Sequence, residues 1–139
     1  MEAPFTGGCA CGALRYRLRT VPVVQSQCQC RDCQRRSGSG HASWLVFPES
    51  AEDVLAGPSA RWGVTADTGT EKEHGFCPTC GSQLFGRLER MPGLLSIRAG
   101  TLDDPAAFQP RARIHVSQAA PWDVMDPALR AFPHDVPQK

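Results

Sequence analysis

Phe76-Cys77-Pro78-Thr79-Cys80-Gly81-Ser82-Gln83-Leu84-Phe85 is the stretch from which the rest of the chain can be read. Two sulfurs three positions apart can turn toward one ion, and Gly81 permits the positive φ that often closes such a turn. Backbone N–H groups in the turn can donate to the thiolates and spread their charge. A redox C-x-x-C pair normally opens a helix within a βαβ pattern. Here the strand-like Gln83-Leu84-Phe85 follows instead. The stretch therefore reads as a zinc-binding knuckle that runs into a β-strand.

One such pair is half of a tetrahedral site, and the sequence offers two candidates for the other half. Gly7-Gly8-Cys9-Ala10-Cys11-Gly12 places two sulfurs on one face of an extended backbone, with glycines that let the chain fold tightly about an ion. Cys30-Arg31-Asp32-Cys33 would instead complete a simple zinc ribbon, but would leave Cys9, Cys11 and Cys28 without an evident task. The first pairing leaves Cys28-Gln29-Cys30-Arg31-Asp32-Cys33 as a compact second group. Three protein ligands leave the fourth position of zinc open to water or substrate, the usual arrangement of a catalytic site. A closed site needs a fourth ligand, for which His41 and His74 are the candidates.

The whole chain fits this picture. Its 139 residues suit one domain with a serviceable core, so seven cysteines exceed what folding requires. An odd cysteine count and the one-residue spacing within Cys9/Cys11 and Cys28/Cys30 disfavour a disulfide framework. The formal charge of +1 argues against a nucleic acid or an acidic membrane as partner. Met1-Glu2-Ala3-Pro4-Phe5 lacks the basic flank and apolar run of a signal peptide. Trp44-Leu45-Val46-Phe47, the longest strongly apolar run, is too short to span a bilayer. A soluble, cytoplasmic protein is expected.

Thirteen glycines and 12 prolines point to turns and short strands. Leu14, Tyr16 and Leu18 alternate with Arg15, Arg17 and Arg19, giving a strand with one apolar and one wet face. Further strands are expected within Val21–Cys28, with Pro22 at its start, and over His41–Phe47, stopped by Pro48. Others are expected around Val54, over Arg61–Val64 and Gln83–Leu88, and more firmly over Leu94–Ala99 and Ala112–Ser117. Asp32–Ser37 suits a short helical turn ended by Gly38, and Asp126–Ala131 is the other place with a helical period. The fold class is thus mainly β, residues 1–139 forming a single domain with a loose tail over 133–139.

Gly8-Cys9-x-Cys11-Gly12, Cys28-x-Cys30-x-x-Cys33 with Ser37-Gly38, and Phe76-Cys77-x-x-Cys80-Gly81 follow one another in the order of a known family. Gly100-Thr101-Leu102-Asp103, Ile114-His115 and Pro121-Trp122 extend the match to nearly the whole chain. The pattern resembles the glutathione-dependent formaldehyde-activating enzymes, a family that includes the centromere protein V group. The resemblance implies a single Mss4-like domain of short antiparallel strands with two zinc ions per chain. It implies that Cys9, Cys11, Cys77 and Cys80 hold a structural zinc and that Cys28, Cys30 and Cys33 hold a second, functional one. The implied activity is that of a carbon–sulfur lyase, joining a thiol such as glutathione to formaldehyde or a related small carbonyl compound. Where the family commonly carries Cys-His-Cys, this chain has Gln29 between Cys28 and Cys30.

A zinc-stabilised binding module without chemistry is the alternative, because fold does not fix function. Arg31, Arg35 and Arg36 bracket the second cluster and could hold a substrate carboxylate, although a solvated basic turn is the simpler reading. Trp44, Trp62 and Trp122 are expected in the core, or failing that in a pocket wall.

Overall fold

The computed structural model of the protein describes residues 3–65 and 69–136, and only the backbone of Asp53 and Val54. The chain runs through β1 (Phe5–Gly8), β2 (Arg15–Leu18), β3 (Val24–Cys28), α1 (Arg31–Ser37), β4 (Ala42–Pro48) and β5 (Glu52–Ala56). It continues through β6 (Ala60–Thr65), β7 (Glu71–Phe76), β8 (Gln83–Leu88), β9 (Leu94–Arg98), β10 (Ala112–Ile114) and β11 (Arg130–Ala131). One sheet has the order β1-β2-β5, and the larger one the order β11-β10-β3-β4-β9-β8-β7-β6. Pairing is antiparallel except where β10 runs parallel to β3 and to β11. The architecture is mainly β, as expected.

The core lies between the two sheets. Leu14, Tyr16 and Leu18 are buried while Arg15 and Arg17 face water, so the period-two pattern of β2 sets which side of the small sheet turns inward. Opposite them, Leu45 and Phe47 of β4, Phe85 of β8, and Leu95 and Ile97 of β9 are buried and share one face through their cross-strand register. Phe5 meets Phe47 edge to face, with ring centroids 5.4 Å apart. The alternate residues of the same strands, Trp44, Ser96 and Arg98 with Cys28 of β3, necessarily occupy the other face. The large sheet thus has a core face and a second, more polar face on which α1 rests.

Several segments differ from expectation. β1 and β7 form although neither is apolar enough to signal itself. The polar Glu71-Lys72-Glu73-His74 becomes a strand because β6 and β8 pair with both of its edges. β10 ends at Ile114 because His115 adopts φ 56, turning the chain into a short 3-10 turn over Val116–Gln118. No helix forms over Asp126–Ala131. The Asp126 carboxylate accepts the Ala128 N–H at 2.9 Å and makes a single turn, after which Arg130 and Ala131 pair with β10. The tail expected to be loose is hydrogen-bonded over its described part, His115 N–H donating to the His134 carbonyl at 2.9 Å. Residues 137–139 of that tail lie outside the described residues. α1 stops where Gly38 takes φ 73 and returns its N–H to the Gln34 carbonyl. Among the described residues no helix is long and apolar enough to cross a membrane.

Phe47 has no exposed surface, and its removal would leave a cavity against Phe5. Phe47→Ala is expected to lower unfolding free energy by about 3–5 kcal/mol in urea denaturation at fixed metal content. A loss well under 1 kcal/mol would show that the inter-sheet core is not the main source of stability.

Candidate metal centres

Two turns of like design meet through their cysteines. In the first, after β1, the Gly12 N–H donates to the Cys9 carbonyl at 3.1 Å, and the Cys9 N–H donates to the Leu14 carbonyl at 3.0 Å. In the second, after β7, the Gly81 N–H donates to the Cys77 carbonyl at 2.8 Å, and the Cys77 N–H donates to the Ser82 carbonyl at 3.0 Å. Gly81 has φ 78, the conformation its place in the sequence calls for. Ser82 links the two turns: its hydroxyl accepts the Ala10 N–H at 3.0 Å and lies 3.2 Å from Cys80 Sγ.

The Sγ atoms of Cys9, Cys11, Cys77 and Cys80 all lie within 4.8 Å of one another. Cys9 and Cys11 sulfurs are 3.6 Å apart, and those of Cys11 and Cys77 3.7 Å. A disulfide needs about 2.05 Å, whereas four thiolates about 2.3 Å from one zinc ion sit about 3.8 Å apart. The donor set therefore fits a tetrahedral metal. Local donors favour ionised sulfur at Cys80 and Cys9, while the neighbouring sulfurs and burial push Cys11 up to about 11. Hydrogen bonds from the Ser82 side chain and backbone draw the Cys80 thiol down to about 5, and the Leu14 N–H lowers Cys9.

The second group forms where β3 passes into α1. Cys28 ends the strand, Cys30 is the N-cap of the helix, and Cys33 lies in the first turn, its N–H donating to Cys30 Sγ at 3.3 Å. The three Sγ atoms lie within 4.8 Å of one another. No other histidine, cysteine or carboxylate among the described residues lies within that distance of all three. Packed so closely, the sulfurs share negative charge unequally. Hydrogen bonds from the Cys28 and Cys33 thiols hold Cys30 far below the ordinary thiol range, and the same contacts, with burial, push Cys28 far above it.

Residues from the last third of the chain hold this loop. Gln34 Nε2 donates to the Gln29 carbonyl at 2.8 Å and to the Gln118 carbonyl at 3.0 Å, and the Arg31 N–H donates to Gln118 Oε1 at 2.8 Å. Gln29 is buried, with its N–H on the Ile114 carbonyl and its side-chain amide donating to Asp123 at 2.9 Å. His41 Nδ1 lies 3.1 Å from Asp123, whose carboxylate Gly40 admits by lacking a Cβ.

The structure thus brings Cys9 and Cys11 together with Cys77 and Cys80, and Cys30 and Cys33 together with Cys28. His41 and His74, the fourth-ligand candidates, do not join the three-sulfur group; His41 pairs with Asp123, and His74 Nε2 lies 3.9 Å from Asp32. The tryptophans correct the core expectation. Trp62 and Trp122 are 48% and 66% exposed, and Trp44 packs against Cys28, Cys33 and Ala42 as a wall of the second site. Of the bracketing arginines, Arg35 is exposed, Arg31 bonds Gln34, and Arg36 stacks over Trp62 at 4.0 Å. The cation buried on the same sheet face as the second cluster is Arg98, which sequence reading missed, as it missed Lys72 beside Asp32 at 3.2 Å. Their one sequence signal is position: Lys72 and His74 alternate along a strand, and Arg98 closes an apolar one.

Comparison with solved structures finds a Rhodobacter sphaeroides protein, determined by structural genomics, at a TM-score of 0.59 and 18% identity. The alignment covers 91% of this chain and 98% of that one, a likeness of fold. The family model described as glutathione-dependent formaldehyde-activating enzyme matches residues 4–118, which include all seven cysteines. The chain belongs to the glutathione-dependent formaldehyde-activating enzyme family.

Proposed function

We propose that the protein is a two-zinc carbon–sulfur lyase in which residues 1–139 form one domain. In this reading Cys9, Cys11, Cys77 and Cys80 hold a structural zinc, while Cys28, Cys30 and Cys33 hold a zinc at which substrate enters. The observation that carries it is the three-sulfur group with no fourth side-chain ligand among the described residues. The reaction is addition of a thiol, glutathione or a similar one, to formaldehyde or a related small carbonyl compound. A bond forms between sulfur and the carbonyl carbon, the thiol proton ends on the carbonyl oxygen, and the reverse breaks the carbon–sulfur bond. Zinc at the three sulfurs would supply a Lewis acid that favours the thiolate form of an incoming thiol.

The chain's own residues shape that position. Cys30 Sγ accepts the Cys33 N–H as the helix N-cap, which favours the rotamer that turns it toward the other two sulfurs. Gln34 and Gln118 pin the loop from behind. Trp44 packs against one side, and Lys72 adds a positive charge near Cys30 and Cys33.

Two outcomes test this reading. Native mass spectrometry is expected to show two zinc ions per chain, falling to one in Cys28→Ser with the circular dichroism unchanged. Cys77→Ser is expected to lose cooperative folding, because metal binding at that centre is coupled to closure of the fold. One zinc per chain, indifferent to loss of Cys28, would sink the two-centre reading.

The zinc-loaded protein should also take up glutathione as a mass adduct that Cys30→Ser abolishes. Formaldehyde consumption should fall roughly 100-fold or more in that variant. A protein with two zinc ions that accepts no thiol would instead be a metal-stabilised binding module.

A further inference from the structure

The polar face of the large sheet carries charged groups that the fold itself does not use. Trp44 pairs with Arg98 across β4 and β9, and Trp62, His74, Gly86 and Ser96 line up across four strands. Residues in cross-strand register share a face, as do alternate residues of a strand. Lys72, His74 and Arg98 therefore occupy the side of the sheet that bears Cys28. Gly86, in the middle of the row, adds no side chain, and Trp44 Cη2 lies 3.4 Å from where its Cβ would be.

Arg98 is 7% exposed and lies over Trp44, its Cζ 4.1 Å from the ring centroid. Trp44 in turn packs against Cys28 and Cys33, so the guanidinium stands on the ring that borders the second cluster. Its Nε and Nη2 are buried and have no hydrogen-bond partner among the described residues. Those two nitrogens carry parallel N–H groups on one edge of the guanidinium, the fork that fits both oxygens of a single carboxylate. Leaving such a fork buried and unmet is costly, more so than any neutral donor. His74, 6% exposed, has both ring nitrogens buried and unpartnered as well. Burial, with Arg36 and Arg98 near, pushes it down to about 4, so at neutral pH it is an uncharged imidazole with one N–H to offer.

Charge points the same way. Arg36, Lys72 and Arg98 surround one acid, Asp32, which pairs with Lys72 at 3.2 Å and Arg36 at 3.6 Å. Three thiolates about a divalent ion would balance only one of the remaining positive charges. Arg98, the cation whose fork is unmet, is left for an anion from outside.

We propose that the Nε/Nη2 edge of Arg98, with His74 and Lys72 beside it, binds a carboxylate of the molecule that enters at Cys28, Cys30 and Cys33. This rests on the reading of that centre as open to a thiol, and it names the substrate class: small thiols bearing a carboxylate. Arg98 then sets specificity, the role that Arg31, Arg35 and Arg36 suggested by sequence position alone.

The test compares 3-mercaptopropionate, 2-mercaptoethanol and propionate as ligands of the zinc-loaded protein. Affinities come from calorimetry, and the Arg98 Nε–H signal is followed by NMR. The carboxylate thiol should bind roughly 10- to 100-fold more tightly than the alcohol thiol. Propionate alone should shift the Arg98 signal. Arg98→Gln should erase the preference while keeping two zinc ions, and Arg98→Lys should restore part of it. Equal binding of the two thiols by the unaltered protein, or a preference that survives in Arg98→Gln, overturns the proposal and leaves the open centre standing. Binding of 3-mercaptopropionate no tighter than that of propionate, with 2-mercaptoethanol unbound, would leave an anion subsite at Arg98 but sink the open centre and with it the proposal. If no probe binds, both fall.

Discussion

Cys11 and Cys77 are 66 residues apart in sequence and 3.7 Å apart in space, and most of the architecture follows from that closure. One turn leads into the small sheet and the other into the hairpin of β7 and β8, so joining them fixes how the two sheets meet. Closing a loop of that length costs about 4 kcal/mol of chain entropy. The two backbone turns and the Ser82 contacts offset little of it alone; a metal ion shared by four thiolates would offset it many times over. With the sheets joined there, Leu14, Tyr16 and Leu18 pack with Leu45, Phe47 and Ile97 in one core. The opposite face of the large sheet is thereby left for the second group of cysteines.

The two centres are supported by different physics. The four-sulfur group is braced by backbone N–H groups within its own turns and by one serine. The three-sulfur group depends on polar side chains from far along the chain. Gln34 bridges to Gln118, and Gln29 to Asp123, with His41 on the same carboxylate. Such a network is directional, and it holds a loop in one geometry without filling space around it.

Legibility in the sequence followed the range of the interactions. β2 announced itself because Leu14, Tyr16 and Leu18 obey one local rule, and the turn at Cys77–Gly81 because spacing and glycine act within five residues. The end of α1 at Gly38 was visible for the same reason. β7 was not, since Glu71-Lys72-Glu73-His74 is a strand only because its neighbours pair with it. A helical period at Asp126–Ala131 gave way to one aspartate turn and a bridge to β10. Trp62 and Trp122 were expected inside on bulk alone, yet an arginine stacked on the ring lets Trp62 stay at the surface. Arg98 looked like the end of a strand, and only the register against Trp44 reveals what it faces.

Alternation along β4 and β9 has a consequence for how this protein can change. Leu45, Phe47, Leu95 and Ile97 face the core, while Trp44, Ser96 and Arg98 lie on the face that bears the second cysteine group. Odd and even positions of the same strand point to opposite faces and so meet different neighbours. A lineage could retune the polar face residue by residue, turning one substrate preference into another, while the packed face beneath keeps the scaffold unaltered.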